Sequence, residues 1–223
     1  CLVGSEMCIR DRGIPSLVSE LSSGIVILVF NMIILRIAGN TGVAAYGVVT
    51  NISLVVIAVF TGVAQGMQPL VSEAHGRGDT GAQLKFFKYA VITVFGLCAV
   101  VYPCIFFFAD PIASVFNSEN NALLQQIAVQ GLKLYFTGAL FAGFNIVAAM
   151  FFTARETPVP AHIISILRGL ALIVPAAFLL ARLFGLCGVW LSFTASESLC
   201  AVCSAALFAA LALKKRSLSK NKT

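Results

Sequence analysis

Two carboxylates sit in stretches where few other charges are found. Glu20 lies in the apolar run from Ile14 to Ile37, and Glu197 in the run from Leu186 to Leu213. The remaining acids, Glu6, Asp11, Glu73, Asp79, Asp110, Glu119 and Glu156, fall near the start of the chain, in polar loops or at the ends of apolar runs. Placing a charged group at the centre of a membrane helix costs ~2.5–3.5 kcal/mol on insertion scales, so such groups mark ion and proton pathways. A carboxyl in those surroundings can exchange a proton, or hold a monovalent cation once ionised. The structural alternative is a carboxyl that hydrogen-bonds its neighbours and locks helices together. Ser19, Ser22 and Ser23 are at hand for Glu20, and Ser192, Thr194, Ser196 and Ser198 for Glu197.

Amides form the second group. Asn145 stands alone in an otherwise apolar run and joins Glu20 and Glu197 as a candidate for cation or proton binding. Asn31, Gln65, Gln68 and Pro69 are candidates for a substrate cleft or a hinge. The string Gln65-Gly66-Met67-Gln68-Pro69 is expected to break its helix, because proline cannot donate to the ladder. Gly62 and Gly66 make a GxxxG spacing, which permits close helix approach.

Other chemistries find no pattern here. His75 and His162 are the two histidines, and neither stands in a triad arrangement with Ser and Asp. The sequence has no HExxH, no phosphate-binding glycine loop and no metal-ligand spacing. Cys200 and Cys203 have CxxC spacing inside an apolar run, where packing is the simpler role. No catalytic residue, metal or organic cofactor is expected; the small ion to look for is H+ or Na+.

The elements that must position these groups follow from composition. The 223 residues are 59% hydrophobic and 11% charged, with a mean hydropathy of +0.97. Soluble domains carry about 25% charged residues, so this is an all-α membrane protein. Six apolar spans are predicted, at 14–37, 44–71, 86–109, 127–152, 160–180 and 186–213, each long enough for ~30 Å of hydrocarbon. A polar loop is expected at 72–85, an interfacial segment at 112–121 and a loop at 153–159. Pro103 and Pro175 lie inside spans three and five.

Basic residues give the orientation. Arg10, Arg12, Arg77, Lys85, Lys88, Arg155, Arg168 and the tail cations Lys214, Lys215, Arg216, Lys220 and Lys222 fall on one side, against Arg36, Lys133 and Arg182 on the other. The positive-inside rule then places both ends in the cytoplasm. The excess of basic residues reports topology, so no nucleic-acid partner is expected. Residues 1–12, CLVGSEMCIRDR, lack the apolar pattern of the spans and read as a non-native leader, leaving 13–213 as the membrane lobe and 214–223 as a basic tail.

Several of these stretches resemble one family. Gly62-Val-Ala-Gln-Gly-Met-Gln-Pro-Leu-Val-Ser-Glu-Ala-His-Gly76 is similar to the eighth helix of multidrug and toxic compound extrusion (MATE) transporters. Gly13-Ile-Pro15 followed by Glu20 resembles their seventh helix, Gly143-Phe-Asn-Ile-Val147 their tenth, and Gly188-Val-Trp-Leu191 followed by Glu197 their twelfth. The resemblance runs from Gly13 to about Leu213. It implies one six-helix lobe of a two-lobe, twelve-helix antiporter that exports drug-like cationic or amphipathic compounds against H+ or Na+. It further implies a missing N-terminal lobe as partner, a small-molecule substrate, and a multi-pass place in a plasma membrane such as the bacterial inner membrane. Some members pair an acid of the seventh helix with one of the tenth; Glu20 matches the first, whereas Asn145 stands at the second. A lipid-linked oligosaccharide flippase, a six-helix intramembrane hydrolase and a structural membrane subunit remain the alternatives.

Overall fold

The computed structural model describes the backbone of residues 2–220 and the side chains of residues 22, 24–157 and 159–208. All regular structure among the described residues is helical: α1 (Leu2–Gly76), α2 (Thr80–Phe107), α3 (Ala109–Phe116), α4 (Ala122–Tyr135), α5 (Ala139–Ala154), α6 (Pro158–Ile166) and α7 (Ile173–Lys220). A 3-10 turn, Phe136–Gly138, joins α4 to α5, and a π-turn, Leu167–Ala171, joins α6 to α7.

Four continuous helical stretches are long and apolar enough to cross a membrane: Gly24–Gly76, Thr80–Phe107, Ala122–Ala154 and Val159–Phe208. The first and last fold back on themselves, giving six spans. Gly39 has φ 63° and ψ −160°, and Gly185 has φ 58° and ψ −134°. A side chain rarely tolerates that backbone region. The reversal at Gly39 brings Phe30 onto Tyr46, ring centroids 5.6 Å apart. In an unbroken helix those residues would lie ~24 Å apart.

The two reversals share a spacing that the sequence does not announce as a repeat. Gly39-Asn-Thr-Gly42 and Gly185-Leu-Cys-Gly188 each carry a second glycine three residues on. A Cβ on Gly188 would collide with the Leu180 carbonyl, and one on Gly42 would stand 2.5 Å from the Ala38 Cβ. The first glycine of each pair turns the chain, and the second lets the returning helix pass close by.

α5 is the axis of the bundle and packs on α1, α2, α6 and α7. Its Ala142, Gly143, Val147, Ala148, Phe151 and Phe152 are buried. Gly143 admits Val94 of α2, and Gly138 admits Phe193 and the Thr194 backbone of α7. At one end Phe87, Phe151, Phe152 and Phe208 form an aromatic cluster, with centroid separations of 4.5–5.5 Å between Phe208 and the two α5 rings.

Several boundaries differ from those expected. The helix of span two continues to Gly76, and α2 already begins at Thr80, where the Asp79 carboxylate accepts from the Ala82 N–H at 2.9 Å. The expected 72–85 loop therefore shrinks to three residues, because a capped helix needs no longer connection. The expected break at Gln65–Pro69 is absent: Gly39 is the non-helical position inside α1. One proline deletes one ladder bond, which a long membrane helix absorbs. A Cβ added at Gly62 or Gly66 would meet nothing within 4 Å, so this GxxxG makes no close approach inside the lobe.

Pro175 does leave a mark. It cannot donate to the carbonyl one turn earlier, and the turn before it widens: the Leu172 N–H donates to the Leu167 carbonyl, five residues back, at 3.1 Å.

Candidate functional site

That widened turn carries Arg168. Its Nε donates to Glu197 Oε1 at 2.7 Å, forming an ion pair in which the Glu197 side chain is 4% exposed and the Arg168 side chain 25%. The other carboxylate oxygen, Oε2, accepts from Asn145 Nδ2 at 2.7 Å. The same amide nitrogen also donates to the Glu197 backbone carbonyl at 2.9 Å. Asn145 Oδ1 accepts from the Ser204 hydroxyl at 3.3 Å. Glu197 and Ser204 are seven residues apart on α7, hence on one face, and Asn145 of α5 bridges them. Arg168 is ~15 Å along its span from Pro158, near mid-depth.

The polar turn around Glu197 does not serve it in the expected way. The hydroxyls of Ser192, Ser196 and Ser198 each donate to the carbonyl three residues back on their own helix, at 2.6, 2.9 and 2.9 Å. Thr194 pairs with Thr137 of the 3-10 turn at 2.8 Å. Partners from other spans satisfy the carboxylate instead. Tyr135, on α4, stacks on Phe193 of α7 at 4.1 Å between centroids.

Of the expected cation-site residues, the structure thus joins Asn145 to Glu197. The Glu20 side chain lies outside the described residues. Its neighbour Ser22 is buried, and a Cβ on Gly169 would stand 3.1 Å from the Ser22 Cβ, so span one packs against the turn that carries Arg168. Asn31 is half-buried on span one; Gln65 and Pro69 are exposed and Gln68 half-buried on span two, away from the cluster in sequence and unbroken in helix. Cys200 is buried and Cys203 exposed, both free.

Arg168 is the member of the cluster that the sequence pattern misplaces. The positive-inside count puts it at a cytoplasmic end, yet it sits inside span five and drops out of the orientation argument. The signal is present in the sequence: a lone cation between Ala161–Leu167 and Gly169–Leu180, with a lone acid in the next span. Charges buried in a membrane are found paired.

A second polar feature is open. Gln126, Gln130 and Thr137 are exposed along one face of the fourth span, with Lys133 half-buried between them. Gln130 Nε2 donates to Cys187 Sγ at 3.0 Å, and Gln125 Nε2 to the Asp110 carboxylate at 2.9 Å. Asp110, the three glutamines and Lys133 line a shallow groove.

Six membrane spans with a charge cluster near mid-depth define an all-helical membrane lobe. Residues 15–179 match the model of the MatE family, and the chain belongs to that family. Over 190 residues it is 26% identical to the multidrug export protein MepA of Staphylococcus saprophyticus, covering 85% of this chain and 41% of that protein. A Staphylococcus aureus MepA is 28% identical over 191 residues with the same coverage. The fold matches an outward-facing multidrug resistance MATE transporter of the MOP superfamily with a TM-score of 0.85 at 22% identity, over 95% of this chain and 47% of that one. An inward-facing MATE transporter matches with a TM-score of 0.84, also at 22% identity, over 95% of this chain and 48% of that one. The chain therefore spans about half the length of the proteins it matches.

Proposed function

We propose that this chain forms the C-terminal six-helix lobe of a cation-coupled antiporter that exports drug-like cationic or amphipathic compounds. The observation that carries this reading is the family match across 15–179, joined by the resemblance of the chain to proteins named for multidrug export. The partner is an N-terminal lobe facing the polar stripe of Gln126, Gln130, Lys133 and Thr137. Amides and hydroxyls there suit a water-filled cleft, since lipid offers them no hydrogen bonds. Gln65, Gln68 and Pro69 on span two and Asn31 on span one are assigned to the same cleft. Both chain ends lie in the cytoplasm of a plasma membrane, which the basic residues outside the spans support with Arg168 set aside.

Glu20 is the carboxylate we assign to the coupling ion, H+ or Na+. Ion binding drives the cycle only through its different affinity for the two access states. Asn145 and Glu197 hold spans four and six in register. In the protein containing this chain, Glu20→Gln should abolish gradient-driven efflux of a lipophilic cationic dye while leaving the amount of folded protein in the membrane unchanged. Wild-type efflux rates in that variant would refute the assignment.

A further inference from the structure

We infer that the Arg168 guanidinium fills the seat that a free monovalent cation would take on the Glu197 carboxylate, so that the Asn145–Glu197 pair is a cation site with its cation built in. Each oxygen of the carboxylate already has a short partner, Arg168 Nε on one side and Asn145 Nδ2 on the other, both at 2.7 Å. The cluster holds one carboxylate and one guanidinium and is neutral as it stands. Glu197 is almost fully enclosed at 4% exposure, whereas Arg168 at 25% is the less enclosed member of the pair.

The fold brings the guanidinium to the carboxylate. Arg168 sits on the π-turn that precedes Pro175, and the residue after it, Gly169, lets span one pack against the same turn. A carboxylate in a low-dielectric interior needs a positive partner. Take the guanidinium away, and the place it leaves beside Glu197 Oε1 has the charge and the depth to take a small cation from outside, while Asn145 Nδ2 still holds the other carboxylate oxygen. Guanidinium ion is the closest mimic, because it carries the planar donor set that the carboxylate already meets.

This deepens the transport reading, on which only its consequence rests: with the Glu197 seat filled by the chain itself, the lobe does not take a coupling ion there, and Glu20 carries that role. The binding claim is tested without transport. The protein containing this chain, purified in detergent, would be melted as wild type, Arg168→Ala and Arg168→Ala/Glu197→Gln. Each would be melted in guanidinium chloride far below denaturing concentrations and in NaCl of equal strength.

The expected result is a melting temperature lowered by Arg168→Ala and raised again by several degrees in guanidinium, saturably. Wild type and the double variant should show no such rise. A rise that survives Glu197→Gln, or no rise in a folded Arg168→Ala protein, overturns the inference. Should Arg168→Ala yield no folded protein, the neutral pair Arg168→Gln/Glu197→Gln decides. Recovery of folded protein supports an uncompensated carboxylate as the cause, and continued failure overturns it. Loss of the Glu20 assignment would appear in dye efflux and leave these melting curves unmoved.

Discussion

At the scale of single residues, the polar side chains on and around the last span behave in two ways. Ser192, Ser196 and Ser198 close onto their own helix and ask nothing of their neighbours. Glu197, Asn145 and Arg168 depend on one another across three spans. Removing one partner from a buried ion pair costs about 3–5 kcal/mol, because the survivor is left uncompensated. Glu197→Ala should therefore lower the unfolding midpoint strongly, and Asn145→Ala by about 1–3 kcal/mol through the orphaned carboxylate oxygen and Ser204 hydroxyl. Ser196→Ala should cost clearly less than Glu197→Ala, because it removes a hydroxyl bonded within its own helix and orphans no charge. Unfolding of the detergent-solubilised protein measures all three, and a Ser196→Ala loss as large as that of Glu197→Ala would contradict the distinction. The sequence shows that Glu197 and Asn145 are unusual for their surroundings. It cannot show that they touch, since 52 residues separate them and their meeting depends on how α5 packs on α7. Arg168 is legible as a lone cation in one span facing a lone acid in the next, but the positive-inside pattern draws it to a span end, because basic residues there are the rule.

At the scale of elements, the spans follow from hydrophobic length and their ends from local chemistry. Long apolar runs set the number of crossings, and that much is readable by eye. The handling of backbone defects is not. Pro69 and Pro175 are the same residue type in similar apolar runs, yet the first leaves its helix unbroken and the second is preceded by a π-turn. Tertiary packing decides between these outcomes, and a single sequence does not contain it. The glycines divide in the same way. Gly62 and Gly66 have the known spacing for close approach but open space around them, whereas Gly188 faces a carbonyl that no rotamer can move. Gly188→Ala should cost about 1–3 kcal/mol or more through overpacking. Gly62→Ala should be neutral or stabilising by about 0.5–1 kcal/mol through helix propensity. Fluorescence-detected size-exclusion profiles of the two variants give the comparison; equal loss of monodisperse protein in both would contradict the assignment of the tight turn to Gly185–Gly188.

At the scale of the whole molecule, the chain is one lobe whose fold is shared with both an outward-facing and an inward-facing transporter at nearly equal TM-score. The same six-span arrangement thus occurs in solved structures named for either access state, and the apolar outer surface of this chain, exemplified by Ile92 and Val100 of α2, suits lipid. The polar stripe on the fourth span does not, and it calls for water or a second lobe beside it. The membrane class and the span count are legible because the bilayer constrains sequence more strictly than water does. The cluster at Glu197 is not, because it is a contact between spans.

The measurement that tests the proposed function most directly is gradient-driven transport by the protein containing this chain, reconstituted in liposomes. A lipophilic cationic dye would be supplied, and a gradient of H+ or of Na+ imposed in turn. Dye should move against its own gradient when one of the two ion gradients is present, and stop when an ionophore collapses it. Dye flux that proceeds at the same rate with no ion gradient would contradict a cation-coupled antiporter.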